Sequence, residues 1–287
     1  MDTIWADRHR LLREVRSYFD QANFMEVETP IYMRTPCMEE HIDAIACGKG
    51  YLRTSPELFH KRIIAAGASR IYEIGKCFRA GEYGDRHHPE YTMLEWYRAH
   101  ADYQDVLKDT KQLIDHLCVA FKKPHPQWKT YAVEELFIQI AGWNPITAYD
   151  AERFSEDLCE KIEPFLKREG GAAVLCDYPA EAAALSRLST TRKDVAERWE
   201  LYLDGIEIAN AYSELTDARE QRRRFEQWGQ QRAAAGNVVY TLDEPFLDAL
   251  DVMPETGGAA LGVDRLLLWL LDAASFDQIM MFRDPWQ

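Results

Sequence analysis

Tyr91-Thr92-Met93-Leu94-Glu95-Trp96-Tyr97-Arg98 is the stretch on which the fold turns. It is β-rich, and a period of two puts Tyr91, Met93, Glu95 and Tyr97 on one face of a strand and Thr92, Leu94, Trp96 and Arg98 on the other. One face therefore mixes aromatic rings with a carboxylate. Upstream, Ile71 to Arg79 is a second β-rich run. The connection Ala80-Gly81-Glu82-Tyr83-Gly84-Asp85-Arg86-His87-His88-Pro89 has the glycines and proline of a long hairpin loop, so two antiparallel strands are predicted.

Further out, Leu11, Leu12, Val15, Tyr18 and Phe19 recur at helical spacing within 7–22, and Asn23 stands where that helix should stop. Phe24 to Pro30 alternates apolar and acidic residues and closes on a proline, as an edge or interface strand does. Ser55-Pro56-Glu57 reads as N-cap, first-turn proline and first-turn acid of a helix running to about Gly67. Helical period returns over 103–118. The stretch 120–195 is broken by prolines and by Gly170-Gly171, and is read as an insertion around the main sheet rather than a separate domain. Asp204-Gly205 between Glu200–Leu203 and Ile206–Asn210 signals a two-residue hairpin turn. A charged helix is expected from about Leu215 to Ala235, and Gly257 to Arg265 reads as a glycine-rich strand and turn feeding the apolar helix that starts at Leu266. The fold class is α+β, an antiparallel sheet flanked by helices in one domain over 1–287.

The chain has 287 residues, 34 Lys and Arg against 48 Asp and Glu, and a net charge of −14, so a broad polynucleotide-binding face is not expected. With 47% hydrophobic residues it can bury a core. Charges interrupt the first apolar residues and no apolar run is long enough to span a bilayer, so a cytoplasmic protein without a membrane partner is expected. The six cysteines are scattered with no Cys-x-x-Cys pair, which argues for reduced thiols.

Arg79 ends the strand that partners the aromatic face, just before Arg86, His87 and His88. Cations converging beside rings suit a nucleotide, with the base stacked and phosphate oxygens held by Arg or His. Glu207 and Glu214 flank an apolar and small stretch. A buried carboxylate there needs a partner, and either Mg²⁺ carried on ATP or a Lys or Arg from elsewhere serves. The Gly257–Arg265 segment lacks the Gly-Lys-Ser/Thr ending of a P-loop, but its glycines imply close backbone approach near Gly262, with Arg265 delivered on the following helix. His87-His88 lacks further ligands at metal-site spacing, so phosphate contact or exposure fits it better. Arg219, Arg222, Arg223 and Arg224 read as a solvated helix face or as a docking patch for an acidic partner.

These pieces together resemble the three signature motifs of the class II aminoacyl-tRNA synthetase catalytic domain: Val27-Glu28-Thr29-Pro30, Phe78-Arg79 through His87-His88-Pro89-Glu90-Tyr91, and Gly262-Val263-Asp264-Arg265-Leu266. Thr54-Ser55-Pro56-Glu57-Leu58, Pro89 to Tyr97 and Ser213-Glu214-Leu215-Thr216-Asp217-Ala218 resemble the lysine branch. The first motif begins by residue 27, which leaves no room for an anticodon-binding domain ahead of it. With Glu95-Trp96-Tyr97 and Ala260, where lysyl-tRNA synthetases have glycine, the chain is similar to the elongation factor P lysyltransferase family.

The resemblance implies activation of (R)-β-lysine, or lysine, by ATP as an aminoacyl-adenylate, followed by transfer to a lysine side chain of elongation factor P. It implies that Arg79 and Arg265 hold the ATP phosphates, Tyr91 stacks on adenine, His88 lies along the triphosphate, and Glu82, Ile208 and Gly262 complete the ATP site. Gly81 takes the place of the family's usual glutamate, with Glu82 one residue later, and His88 takes the place of an asparagine. Glu207 and Glu214 would bind Mg²⁺ through the nucleotide. Ser55, Pro56, Glu57, Glu95, Tyr97, Glu214 and Ala260 would form the amino-acid pocket. The Thr29-Pro30 element implies a homodimer. The alternatives are a tRNA-charging enzyme without its appended domain, and a non-catalytic regulatory paralogue.

Overall fold

The computed structural model describes residues 3–282, so both ends of the expected 1–287 unit lie outside the described residues. Helix α1 (Ile4–Gln21) buries Leu11, Val15, Tyr18 and Phe19 along one stripe and ends ahead of Asn23, whose φ of 59° stops the helix. The short strands β1 (Met25–Glu26), β2 (Tyr32–Met33), β3 (Ala46–Cys47) and β4 (Gly50–Leu52) precede α2 (Glu57–Ala65). The expected long hairpin is β5 (Arg70–Phe78) with β6 (Glu90–Ala99), followed by α3 (Tyr103–Phe121). Then come β7 (Trp128–Ala132), α4 (Val133–Ile140), α5 (Ala151–Asp157), a π-helical turn over Leu158–Ile162, α6 (Glu163–Glu169) and β8 (Ala172–Pro179). The chain closes with β9 (Val195–Leu203), β10 (Ile206–Ser213), α7 (Ala218–Ala234), α8 (Glu244–Leu250), β11 (Thr256–Gly262) and α9 (Val263–Leu270).

The main sheet has eight strands in the order β1-β5-β6-β11-β10-β9-β8-β7, antiparallel except where the edge strands β1 and β7 pair in parallel. Its register sorts side chains into rows across the strands. Tyr72, Trp96, Ala259, Ala211 and Trp199 stand opposite one another from β5 to β9, and all are buried in the core with residues of α1, α3 and α9. The next row, Glu73, Glu95, Ala260, Asn210 and Glu200, faces the other way. Burial of the first row fixes the register that presents the second, because a slip of one residue would exchange the faces.

Asp204 (φ 48°) and Gly205 (φ 76°) form the two-residue hairpin turn with both central residues left-handed, as Asp-Gly favours. The 120–195 stretch does more than surround the sheet: β8 enters it beside β9, and β7 caps that edge. Its helices pack on Ala173, Leu175, Tyr178 and Tyr202 in a core of their own. The small sheet β2-β4-β3 and helix α8 were not expected from the sequence pattern. Helix α7 starts three residues later than Leu215 because the Asp217 carboxylate accepts from the Arg219 and Glu220 amides.

Along the arginine run the solvated-face reading holds at the partly exposed Arg222 and the exposed Arg223 and fails at Arg224, which is buried. Arg222 pairs with Glu244, Arg223 with Glu220, and Arg224 turns inward to Glu220 and the carbonyls of Ala184 and Ser186. All six cysteines are free, and Cys37, Cys77, Cys118 and Cys176 are buried. No helix among the described residues is long and apolar enough to cross a membrane.

Candidate active site

A cavity of about 320 Å³ opens over the polar face of the sheet. Ser55, Glu57, Arg79, Glu82, His88, Tyr91, Glu95, Tyr97, Glu207, Ile208, Glu214, Ala260, Gly262 and Arg265 all line it. Pro56 does not, because it sits at the N-terminus of α2. The N-cap falls on Pro56, one residue after the expected Ser55, whose hydroxyl still accepts from the Glu57 amide at 2.9 Å.

Arginines gather at the open end. Gly262 precedes α9 and Arg265 projects from its first turn. The start of α9 is pinned to β6 because Asp264 accepts from the Thr92 amide at 2.7 Å and from Arg8 at 2.6 Å. Arg265 donates through Nη1 to the Glu207 carbonyl and to its carboxylate, both at 3.0 Å, and its Nη2 lies 2.6 Å from His87 Nε2. Burial, then the Arg265 charge, pushes His87 below the usual histidine range, so a neutral ring accepts that bond. His88, expected along the triphosphate, lines the cavity and sets Nδ1 2.7 Å from the Glu90 carbonyl, while His87 is the histidine that meets Arg265.

Arg79 reaches Glu82 at 3.5 Å, and its Nε is buried without a hydrogen-bond partner among the described residues, a donor that suits an incoming anion. Its guanidinium lies 5.3 Å from the centre of the Tyr91 ring, and the Tyr91 hydroxyl donates to the Thr54 carbonyl at 2.8 Å. The ring expected to stack on adenine therefore already carries a cation against it.

Glu207 and Glu214 are seven residues apart, which on a regular strand would point them to opposite faces. A bulge at Ile208, between the pairs Glu207–Tyr202 and Ala209–Leu201, reverses the parity and turns both toward the cavity. They still cannot share one ion. At roughly 3.3 Å per residue they stand about 20 Å apart along the strand. Glu207 belongs to the arginine end, while Glu214 lies 2.6 Å from the Lys61 ammonium. The expectation that both hold Mg²⁺ is corrected for Glu214, which took the other partner left open for it, a lysine from elsewhere.

The closed end is acidic and buried. Lys61 on α2 is completely buried between Glu57 and Glu214, 2.6 Å from each. Burial, then the two carboxylates, acts on its ammonium, and the carboxylates win and hold it charged. Burial pushes the Glu57 and Glu214 carboxyls up, against the pull of Lys61. Glu95, on β6, accepts from the Tyr97 hydroxyl at 2.8 Å and from Ser55 at 3.1 Å. Two carboxylates thus share one ammonium, and a third, Glu95, is buried in the same cavity. Gly258 makes this possible, since a Cβ there would collide with the Glu214 carboxylate and the Tyr97 ring.

Sequence reasoning missed Lys61, His60, Arg198, Asn210 and Tyr212. Two signals pointed to some of them: Lys61 stands four residues after Glu57 on a helix, and Asn210 and Tyr212 share parity with Glu214. Arg198 donates to Glu200 at 2.6 Å and to Asn210 at 3.2 Å, and Asn210 donates to the Tyr212 hydroxyl at 2.7 Å, fixing the wall opposite Glu95.

The family of tRNA synthetases class II (D, K and N) matches residues 1–284. Among curated proteins, the elongation factor P–(R)-β-lysine ligase of Mannheimia succiniciproducens is 34% identical over 306 residues, covering 96% of this chain and 93% of the relative. Proteins of the same name from Erwinia tasmaniensis and Haemophilus influenzae are 35% and 33% identical, again over 96% of this chain and 93% of theirs. Mixed helix and sheet, the polar row over β5 to β9 and the arginine at the start of α9 accord with these matches, and the chain belongs to the class II tRNA synthetases of the D, K and N group, within the family of elongation factor P–(R)-β-lysine ligases.

Proposed function

We propose that this enzyme activates (R)-β-lysine with ATP and transfers the acyl group to a lysine side chain of elongation factor P. The observation that carries the reading is the union of two opposite charge environments in one cavity. Arg79 and Arg265 stand at one end, and at the other stand Glu57 and Glu214 with Lys61 between them and Glu95 beside Ser55, His60 and Tyr97. A triphosphate and an amino acid with two amines need that pair of environments, since buried opposite charge is the strongest recognition available to an ammonium.

In the first step the substrate carboxylate attacks the α-phosphorus of ATP, the bond to the β-phosphate oxygen breaks, and acyl-adenylate and pyrophosphate result. A carboxylate is already ionised at neutral pH, so no general base is required. Arg79 and Arg265 neutralise the charge that develops on phosphorus, and the acidic pocket fixes the amines so that the carboxylate points at the nucleotide. In the second step the acceptor's neutral lysine amine attacks the acyl carbon, an amide forms and AMP leaves. Ala260 stands in the row between Glu95 and Asn210, and its methyl group shapes the floor for the amine of a β-amino acid.

Mg²⁺ would be held by Glu207 together with the triphosphate and would supply charge neutralisation there. Such an ion takes its other ligands from water and the substrate phosphates. A homodimer through the Val27–Pro30 element is supported by Met25, Ile31 and Tyr32 beside it, which are 54%, 42% and 53% exposed. Light scattering should give twice the monomer mass, and a monomer would refute the assembly. For the reaction, the test is ATP–pyrophosphate exchange with α-lysine and both β-lysine enantiomers, then the mass of elongation factor P after incubation. Exchange driven by (R)-β-lysine and a mass gain of one lysyl group are expected. Unmodified acceptor with efficient charging of tRNA would overturn the reading.

A further inference from the structure

We propose that His60 is a positioning residue of the amine pocket, whose imidazolium holds the Glu95 carboxylate in the direction in which it meets the substrate ammonium. The inference rests on the function proposed above. Glu73 and Glu95 are direct cross-strand partners on β5 and β6, an arrangement in which like charges repel. The His60 ring, completely buried on α2, stands between them. Its Nε2 lies 2.9 Å from Glu73 Oε2, and its Nδ1 lies 3.6 Å from Glu95 Oε1. Nδ1 makes no hydrogen bond among the described residues although it is fully buried, so it is a donor aimed at Glu95 and one small movement short of bonding it.

The groups around the ring divide the work. From β5, Glu73 is committed: Arg53 grips it at 2.7 Å and Thr29 donates to it at 2.7 Å. Arg53 reaches it only because residue 75 is glycine, where a Cβ would strike the guanidinium. From β6, Tyr97 packs edge-on against the His60 ring at 5.4 Å and donates to the same oxygen of Glu95 that His60 faces. On its own helix, Glu57 and Lys61 are engaged with each other and with Glu214. Glu95 is thus the carboxylate with capacity left for a ligand, and His60 with Tyr97 and Ser55 determines where that capacity points. Against the cost of burial, Glu73 and Glu95 raise the His60 pKa above the ordinary histidine value, which favours the doubly protonated ring.

The test uses two conservative variants in ATP–pyrophosphate exchange. Wild-type enzyme is assayed first with (R)-β-lysine, and absence of exchange there would refute the proposed function without bearing on His60. His60→Gln keeps a donor near the place of Nε2 and loses the one facing Glu95. His60→Asn keeps a donor near the place of Nδ1. His60→Gln should raise KM for (R)-β-lysine about tenfold, the worth of one hydrogen bond to a charged group, with kcat and KM for ATP within about twofold. His60→Asn should recover most of that loss. Equal KM values in wild type and His60→Gln would overturn the assignment. So would parallel losses for both substrates in both variants, the mark of a merely structural role. Nitrogen-15 NMR of the ring in the free wild-type protein gives a readout independent of activity: two protonated nitrogens at pH 7 are expected, and a neutral ring would overturn the proposal.

Discussion

At the open end of the cavity each arginine leans on a partly exposed carboxylate, Arg265 on Glu207 (22% and 38% exposed side chains) and Arg79 on Glu82 (27% and 33%). At the closed end Lys61 and Glu214 are 0% and 1% exposed. The two ends use the same ion-pair chemistry at opposite depths. Partly exposed pairs are weak and screened, so arriving phosphates can take the arginines from their carboxylates at small cost. Buried pairs are strong and unforgiving, and they present a fixed field before any substrate enters. Commitment on the amine side and exchangeability on the phosphate side follow from depth alone.

The contrast is broken most directly by Arg265→Ala, which removes the charge at the open end and leaves the buried network untouched. Loss of pyrophosphate exchange by about 10⁴-fold is expected, the scale on which an arginine stabilises charge in phosphoryl transfer, with the fold intact by circular dichroism. Exchange at the wild-type rate would refute the role.

At the closed end the largest effect falls on stability. Lys61→Met fits the apolar stem but leaves Glu57 and Glu214 facing each other without a cation. A cost of about 3–5 kcal/mol at neutral pH is expected from urea unfolding. Acid should restore part of it. Lys61 pulls both carboxyls down, so without it Glu57 and Glu214 rise further above their unfolded value of 4.5, bind protons that the unfolded chain releases, and the variant should regain stability relative to wild type as pH falls toward 4.5. A variant as stable as wild type, or one that acid destabilises in that range, would show that Lys61 is not the keystone of this end.

Glu73, behind Glu95, has the opposite sign. Burial raises its pKa, but the His60 bond, the Thr29 bond and the Arg53 charge outweigh that and hold it down to about 2. Its contribution is present above the unfolded value of 4.5 and is lost as pH falls toward 2, amounting to about 3 kcal/mol. Glu73→Gln should be less stable at pH 7 and should lack that part of the acid limb. Identical acid limbs would place the acid lability elsewhere in the molecule.

The two ends also differed in how far the sequence revealed them. The strand parity of Tyr91 to Tyr97, the Asp204-Gly205 turn and the delivery of Arg265 after Gly262 are local features, readable because each depends on neighbours within a few residues. Glu57, Glu95 and Glu214 were read as pocket residues, with Ser55 and Tyr97 beside Glu95, yet the cation between Glu57 and Glu214 was not. Lys61 meets Glu214 across most of the chain, and Arg53 meets Glu73 only through the gap left by Gly75. Position β8 in the sheet was hidden because Ala172 to Leu175 is a continuous apolar run, buried on both faces and without alternation. The bulge at Ile208 is the sharpest case: a regular strand would point Glu207 and Glu214 to opposite faces, and one extra residue in the ladder, which no spacing rule reveals, puts them on the same one.

The smallest effect sharpens the contrast from the exchangeable side. His88 lines the open end, but its Nδ1 is turned to the Glu90 carbonyl. His88→Asn keeps a short donor that can reach the same carbonyl. KM for ATP should therefore stay within about threefold of wild type, less than the worth of one charge-assisted hydrogen bond, and KM for the amino acid should not change. If instead KM for ATP rose tenfold or more, His88 would be committed to the nucleotide as firmly as Lys61 is to Glu214, and depth would no longer explain which end of the cavity yields.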